Sequence, residues 1–256
     1  MSRDWKLGPG VKRVAVAGGA MLYDASRVSN FSEAWFDANW WPQRDAVEGD
    51  AGGRGSTWFV RGERGVYALR HYRRGGLAAK FVHDRYLWTG ESETRPFAEW
   101  GLTYHMRRAG LPVPVPIAAR YRRAGLTYTG DLITMRLADA QPLAMLLTMG
   151  ALSLETWIAI GRCIGRFHEF DVCHADLNAH NVLLTDEGRV FLVDFDRGEL
   201  RRPGLWQDGN LVRLRRSLEK VIETLPAERF TEQDWHSFLD GYYQVRRTPL
   251  ASTPAR

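Results

Sequence analysis

His174-Ala175-Asp176-Leu177-Asn178-Ala179-His180-Asn181, followed thirteen residues after Asn181 by Asp194 in Val193-Asp194-Phe195-Asp196, is the stretch from which the rest of the chain can be read. Its pattern is H-x-D-x-x-x-x-N, then an aspartate flanked by apolar residues. Seven His, sixteen Asp and five Asn in 256 residues make the first element alone expected by chance about 0.009 times. Phosphoryl transfer explains the spacing: one carboxylate must stand near the attacking hydroxyl, and an amide oxygen with a second carboxylate must hold Mg²⁺ on the nucleotide phosphates. Asp176, Asn181 and Asp194 fit these three roles. His174 joins Asp176 in the catalytic set, where hydrogen bonds that prop the loop suit it better than proton transfer.

Working back toward the N-terminus, Gly52-Gly53-Arg54-Gly55-Ser56-Thr57 is a glycine-rich turn. Missing side chains at Gly52, Gly53 and Gly55, with Ser56 beside them, let backbone N–H groups approach phosphates. Ser56 to Val60 and Gly65 to Tyr72 read as strands of a hairpin. The second strand offers Arg70 in Tyr67-Ala68-Leu69-Arg70, the place of a V-A-I-K lysine. Arg70 can bridge phosphate oxygens and pair with Glu99 on a helix spanning 94–109, although Glu91 and Glu93 compete for that pairing. Lys80 is the reserve cation.

The same helix carries Phe97, Gly101 and Tyr104 on one side and stops at Gly110, before Pro112, Pro114 and Pro116. Strands follow at 121–123 and 131–137, and Val14 to Tyr23 also reads as a strand. From Ala138 the pattern is helical: Leu154, Trp157, Ile158, Ile164, Phe167 and His168 recur at three and four, with Ser153 as N-cap. A short hairpin, 182–184 with 190–193, carries the Asp194 element. A helix over 208–224 buries Leu211, Leu214, Leu218 and Val221 and presents Arg213, Arg216 and Lys220 on another face. The expected architecture is therefore α+β and bilobal. A small antiparallel N-lobe sheet with one main helix fills 1–138, a mostly helical C-lobe fills 139–256, and a cleft lies between.

Composition sets the class and excludes others. With 45% hydrophobic and 25% charged residues the chain can bury a core and is neither disordered nor a coiled coil. Two cysteines, Cys163 and Cys173, build no disulfide framework and point to a reducing compartment. The longest apolar runs are about ten residues, against the roughly 20 needed to span a bilayer. Arginine outnumbers lysine thirty-one to four, which favours bidentate partners such as phosphate and carboxylate, although a GC-rich genome would produce the same bias. The cations at 197, 201, 202, 213, 215, 216 and 220 form either a solvated basic face or a cradle for an acidic substrate or an anionic membrane surface, the latter worth about 1 kcal/mol per basic residue. A pI near 9.4 admits nucleic acid, but no aromatic and basic interleaving resembles a reader, so none is expected, nor is an obligate protein partner.

Taken together, these motifs resemble the lipopolysaccharide kinase family within the protein-kinase-like fold, over most of the chain. Gly53 to Thr57, Leu69 to Leu77, Asp84-Arg85-Tyr86, Gly110 to Pro114, Pro116 to Arg120, Cys173 to Asn181, Asp194-Phe195-Asp196, Asn210 to Leu214 and Arg216 to Lys220 carry the resemblance. It makes arginine at position 70 a family trait. It implies ATP-dependent phosphorylation, with Mg²⁺, of the 4-hydroxyl of a 3-deoxy-D-manno-octulosonic acid (Kdo) residue on Kdo-lipid A. The place implied is the cytoplasmic side of the inner membrane of Gram-negative bacteria, held peripherally. Ala175 stands where protein kinases place arginine, and Asp196 where D-F-G has glycine, so a small-molecule or glycolipid acceptor is favoured over a protein. The competing readings are an aminoglycoside or choline-type phosphotransferase and a nucleotide-binding membrane adaptor without catalysis. The first forty residues carry little of the resemblance and are expected only to pack.

Overall fold

The computed structural model describes residues 8–41, 44–47, 57–62, 64–73 and 84–247. It divides into two compact units, Met1–Ala109 with Pro114–Leu137, and Gly110–Val113 with Ala138–Arg256. The expected α+β class holds, with antiparallel sheets and five α-helices among the described residues.

Unit 1 is built on an eight-stranded antiparallel sheet. Its strands are β1 (Val11–Val16), β2 (Gly19–Asp24), β3 (Arg44–Val47), β4 (Thr57–Gly62), β5 (Gly65–His71), β6 (Tyr86–Leu87), β7 (Pro116–Ala124) and β8 (Thr127–Met135). Their order is β1-β2-β7-β8-β5-β4-β3, with β6 continuing the edge of β8 beyond β5. The β4–β5 hairpin falls where the alternation places it. The run 14–23 is not one strand: it breaks at Gly18, whose φ of +73° turns the chain into the β1–β2 hairpin. The first forty residues therefore do more than pack, because they supply two strands. β7 begins at Pro116, earlier than expected, and its register slips between Pro116 and Ala118 where the proline interrupts the ladder.

The period of two gives this sheet two faces. One carries Leu22, Tyr72, Ala119, Tyr121 and Leu132 under helix α1 (Arg95–Arg108), which contributes Phe97 and Trp100. The other carries Met21, Val60, Tyr67, Leu69 and Ile133 beneath Val28, Phe36 and Trp41 from the segment after β2.

Unit 2 opens with an unexpected strand, β9 (Ala140–Pro142), which pairs with β11 (Val182–Thr185); β11 also pairs with β12 (Val190–Leu192). Helices α2 (Leu143–Met149), α3 (Leu154–Glu169), α4 (Trp206–Ile222) and α5 (Glu232–Arg247) complete it, with a small pair β10 (Val172–Cys173) and β13 (Glu199–Leu200). Ser153 caps α3 by accepting from Thr156 N at 3.2 Å, as its position predicts. The buried face of α3 runs through Trp157, Ile160, Gly161, Ile164, Gly165 and His168, whereas Leu154 is exposed and Ile158 only half-buried. The turn is explained by α5, which lies against the glycines. A Cβ at Gly161 would stand 1.9 Å from Phe238 O, and one at Gly241 would stand 2.1 Å from Ile158 O. Both cysteines are free and buried.

Candidate functional site

The chemistry-bearing residues of unit 2 sit on the loop between β10 and β11. His174 is buried, and both ring nitrogens are engaged: Nδ1 accepts from Asp176 N at 3.1 Å and Nε2 donates to Val193 O at 2.9 Å. Burial lowers its pKa, so the neutral tautomer that these two bonds require persists at neutral pH. His174 thus positions Asp176, in keeping with the loop-propping role that the sequence suggests for it. Its ring also lies 4.7 Å from that of Phe195, which stacks in turn on Phe167. The apolar residue beside Asp194 therefore anchors that element to the same core.

Asn178 shapes the rest of the loop. Its Oδ1 accepts from His180 N at 2.8 Å and Asn181 N at 3.2 Å, while its Nδ2 donates to Asp176 O at 3.1 Å. Asn181 Nδ2 donates to Asp176 O at 2.9 Å, so Oδ1 is the end of that amide with chemistry left for a cation. Val193 N donates to Asn181 O at 3.0 Å, which places Asp194 next to Asn181 at the mouth of the β11–β12 hairpin. Asp194 holds φ +60°, a left-handed conformation that costs about 1 kcal/mol or more and that aspartate tolerates better than most. Asp176 and Asp194 are both exposed.

One amide oxygen and one carboxylate are hard donors that suit Mg²⁺, an ion usually held by one or two carboxylates together with substrate phosphates. Among the described residues no group of three or more His, Cys, Asp or Glu gathers to hold a metal. The donor set fits the ion.

In unit 1 the arginine and glutamate singled out by sequence meet. Arg70 Nη2 donates to Glu99 Oε2 and to Tyr72 Oη at 3.1 Å, and Tyr72 Oη donates to Glu99 Oε2 at 2.5 Å. Glu99, in the second turn of α1, is only 4% exposed; Arg70 stacks 4.7 Å above the Tyr72 ring. Of the competitors, Glu91 is held by Arg13 at 2.6 Å and by Tyr121 Oη at 2.6 Å. Sequence reading missed Tyr72, whose signal was its period-two spacing from Arg70. It also missed the row Phe59, Ala68 and Thr134, paired side by side on the Arg70 face and half-buried. Gly52, Gly53, Gly55, Ser56 and Lys80 lie outside the described residues.

The other face of the sheet holds a cavity of about 580 Å³ lined by Trp58, Leu69, Ile133 and a chain of ion pairs. There His71 bonds Asp131 at 2.7 Å, Asp131 bonds Arg120 at 2.8 Å, and Arg120 meets Glu33 at 3.4 Å. Arg122 also meets Glu33, at 2.8 Å.

Helix α4 lies along the loop of unit 2. Asn210 Nδ2 donates to His174 O at 3.0 Å, Ser217 Oγ accepts from Ala179 N at 3.1 Å, and Arg213 Nη1 reaches Asp176 Oδ1 at 3.4 Å.

Comparison with known proteins matches residues 38–242 to the lipopolysaccharide kinase (Kdo/WaaP) family. A 3-deoxy-D-manno-octulosonic acid kinase of Haemophilus influenzae is 41% identical over 231 residues, 87% of this chain and 95% of that protein. One from Photobacterium profundum is 40% identical over 220 residues, covering 86% and 93%. One from Stenotrophomonas maltophilia is 44% identical over 207 residues, covering 79% and 81%.

Proposed function

The chain belongs to the lipopolysaccharide kinase (Kdo/WaaP) family, and on that premise we propose that it transfers the γ-phosphoryl group of ATP to the 4-hydroxyl of a Kdo residue on Kdo-lipid A. It is a phosphotransferase with an alcohol acceptor. The observation that carries this reading is the loop 174–181, in which a buried neutral His174 fixes Asp176 while Asn178 draws Asn181 beside Asp194.

In this mechanism Asp176 accepts the proton of the acceptor hydroxyl as its oxygen bonds to the γ-phosphorus. The bond from that phosphorus to the bridging oxygen breaks, and ADP leaves with the electron pair. Asn181 Oδ1 and the Asp194 carboxylate would hold Mg²⁺, which supplies charge neutralisation on the phosphates. Arg70, oriented by Glu99 and Tyr72, binds phosphate oxygens. The row Phe59, Ala68 and Thr134 offers the adenine a largely apolar surface.

The same reading holds the protein peripherally on the cytoplasmic side of the inner membrane. Among the described residues no helix is long and apolar enough to cross a membrane. What supports attachment is Leu205, 87% exposed in a stretch with exposed Arg201 and Arg202.

The deciding experiment is phosphate transfer from labelled ATP with Mg²⁺ to Kdo-lipid A, run beside Asp176→Asn and beside an aminoglycoside acceptor. Transfer to the glycolipid alone, lost by at least about a thousandfold in the variant, is the expected result. Transfer only to the drug, or equal activity in the variant, overturns the assignment.

A further inference from the structure

We propose that Arg213 is the carboxylate-binding group of the acceptor subsite: its guanidinium holds the acid group of the same sugar whose hydroxyl Asp176 receives. The inference rests on the acceptor reading above, since Kdo is an acid and carries a carboxylate at neutral pH.

Three residues of α4 at positions i, i+3 and i+7 line the face that runs along the catalytic loop. Two of them, Asn210 and Ser217, bond main-chain atoms, His174 O and Ala179 N, and thereby hold the loop in place. Arg213, between them, reaches a side chain, and that side chain is Asp176.

The Arg213–Asp176 pair is poorly suited to a structural task. At 3.4 Å, through one nitrogen, with the two side chains 54% and 59% exposed, it adds little to stability. It is well suited to exchange. A ligand that brings a hydroxyl and a carboxylate on one ring offers Asp176 a proton donor and Arg213 a planar, two-oxygen partner that matches its fork better than the end-on contact it now makes. A neutral sugar hydroxyl without that acid would leave Arg213 on Asp176, competing for the base. The position therefore both attracts the acidic sugar and discriminates against a neutral one. Arg216 and Lys220, exposed at i+3 and i+7 from Arg213, extend the cationic row along α4 toward further anionic groups of the same glycolipid.

The test uses the full chain with saturating ATP and Mg²⁺ and two acceptors: Kdo-lipid A, and the same glycolipid with its Kdo carboxylate converted to the carboxamide. Wild type should prefer the acid by about tenfold or more in kcat/KM. Arg213→Met should raise the KM for the acid by a similar factor, leave the KM for ATP unchanged, and use both acceptors equally. Arg213→Lys, which keeps the charge and loses the fork, should fall between. A helix-packing role would slow both acceptors alike, so the ratio is the diagnostic. A wild-type preference that survives in Arg213→Met overturns the assignment. So does an equal loss of kcat on both acceptors, which would place the guanidinium on the transferred phosphoryl group. If wild type phosphorylates neither glycolipid, the acceptor reading falls together with this one, whereas transfer without discrimination removes Arg213 alone.

Discussion

At the scale of single residues, the informative positions are those where one side chain must satisfy several partners. Arg70 donates to Glu99 and Tyr72 through one nitrogen, and a guanidinium presents its donors as a planar fork that matches phosphate oxygens. Lysine has a single nitrogen for all of them. Arg70→Lys should therefore fold normally but raise the KM for ATP by about tenfold, measured at saturating acceptor. His168 behaves differently because it is buried: burial pushes its pKa down to about 4 while Tyr242 Oη shares its Nδ1 at 2.7 Å, with Arg246 and His174 as charged or titratable neighbours. A depressed pKa means that folding requires the neutral ring. Its stability contribution is complete above about pH 6.5 and is lost as pH falls toward 4, by about 3 kcal/mol in all. Urea unfolding of wild type and His168→Gln between pH 7 and 4.5 checks this: over that range wild-type stability should fall more steeply by about 2 kcal/mol.

At the scale of elements, what the sequence makes legible is whatever local pattern or chemistry dictates. The α1 boundaries, the Ser153 cap, the β4–β5 hairpin, the α4 stripe of Leu211, Leu214 and Leu218, and the Arg70–Glu99 pair were readable because periodicity and opposite charge carry their own signal. Long-range partners were not. β9 is three residues long and exists because β11 pairs with it, and β3 is set by its register with β4. Helix α5 was overlooked although Trp235, Phe238 and Tyr242 mark its face and Thr231 with Asp234 form a reciprocal cap at its start. Without α5, the glycines of α3 carry no meaning and the apolar face is misdrawn through Leu154 and Ile158. The glycine contacts make a sharp prediction. Gly161→Ala places a methyl group against Phe238 O, in backbone rather than a pliable side chain, so it should destabilise by about 3 kcal/mol or more. The Gly209→Ala control on α4, where a Cβ meets nothing within 4 Å, should be neutral or slightly stabilising in the same thermal melt.

At the scale of the whole molecule, the proposed peripheral attachment would rest on charge and a few exposed apolar groups. Binding to vesicles containing anionic lipid should weaken as salt rises, because exposed cations act through a screened field. Leu205→Asp should lower that binding severalfold while leaving transfer to a detergent-dispersed acceptor intact; sedimentation with the vesicles reads the first and product formation the second. Lysine is scarce throughout: Lys6, Lys12, Lys80 and Lys220 are all the chain has, and the cation tied to Glu99 is an arginine. A guanidinium stays protonated and is a poor nucleophile. An ATP analogue bearing an acylating or sulfonylating warhead that hunts amines therefore finds none at position 70 and should leave that residue unmarked. A glyoxal-type reagent, which condenses with guanidinium groups, should inactivate it and be held off by ATP.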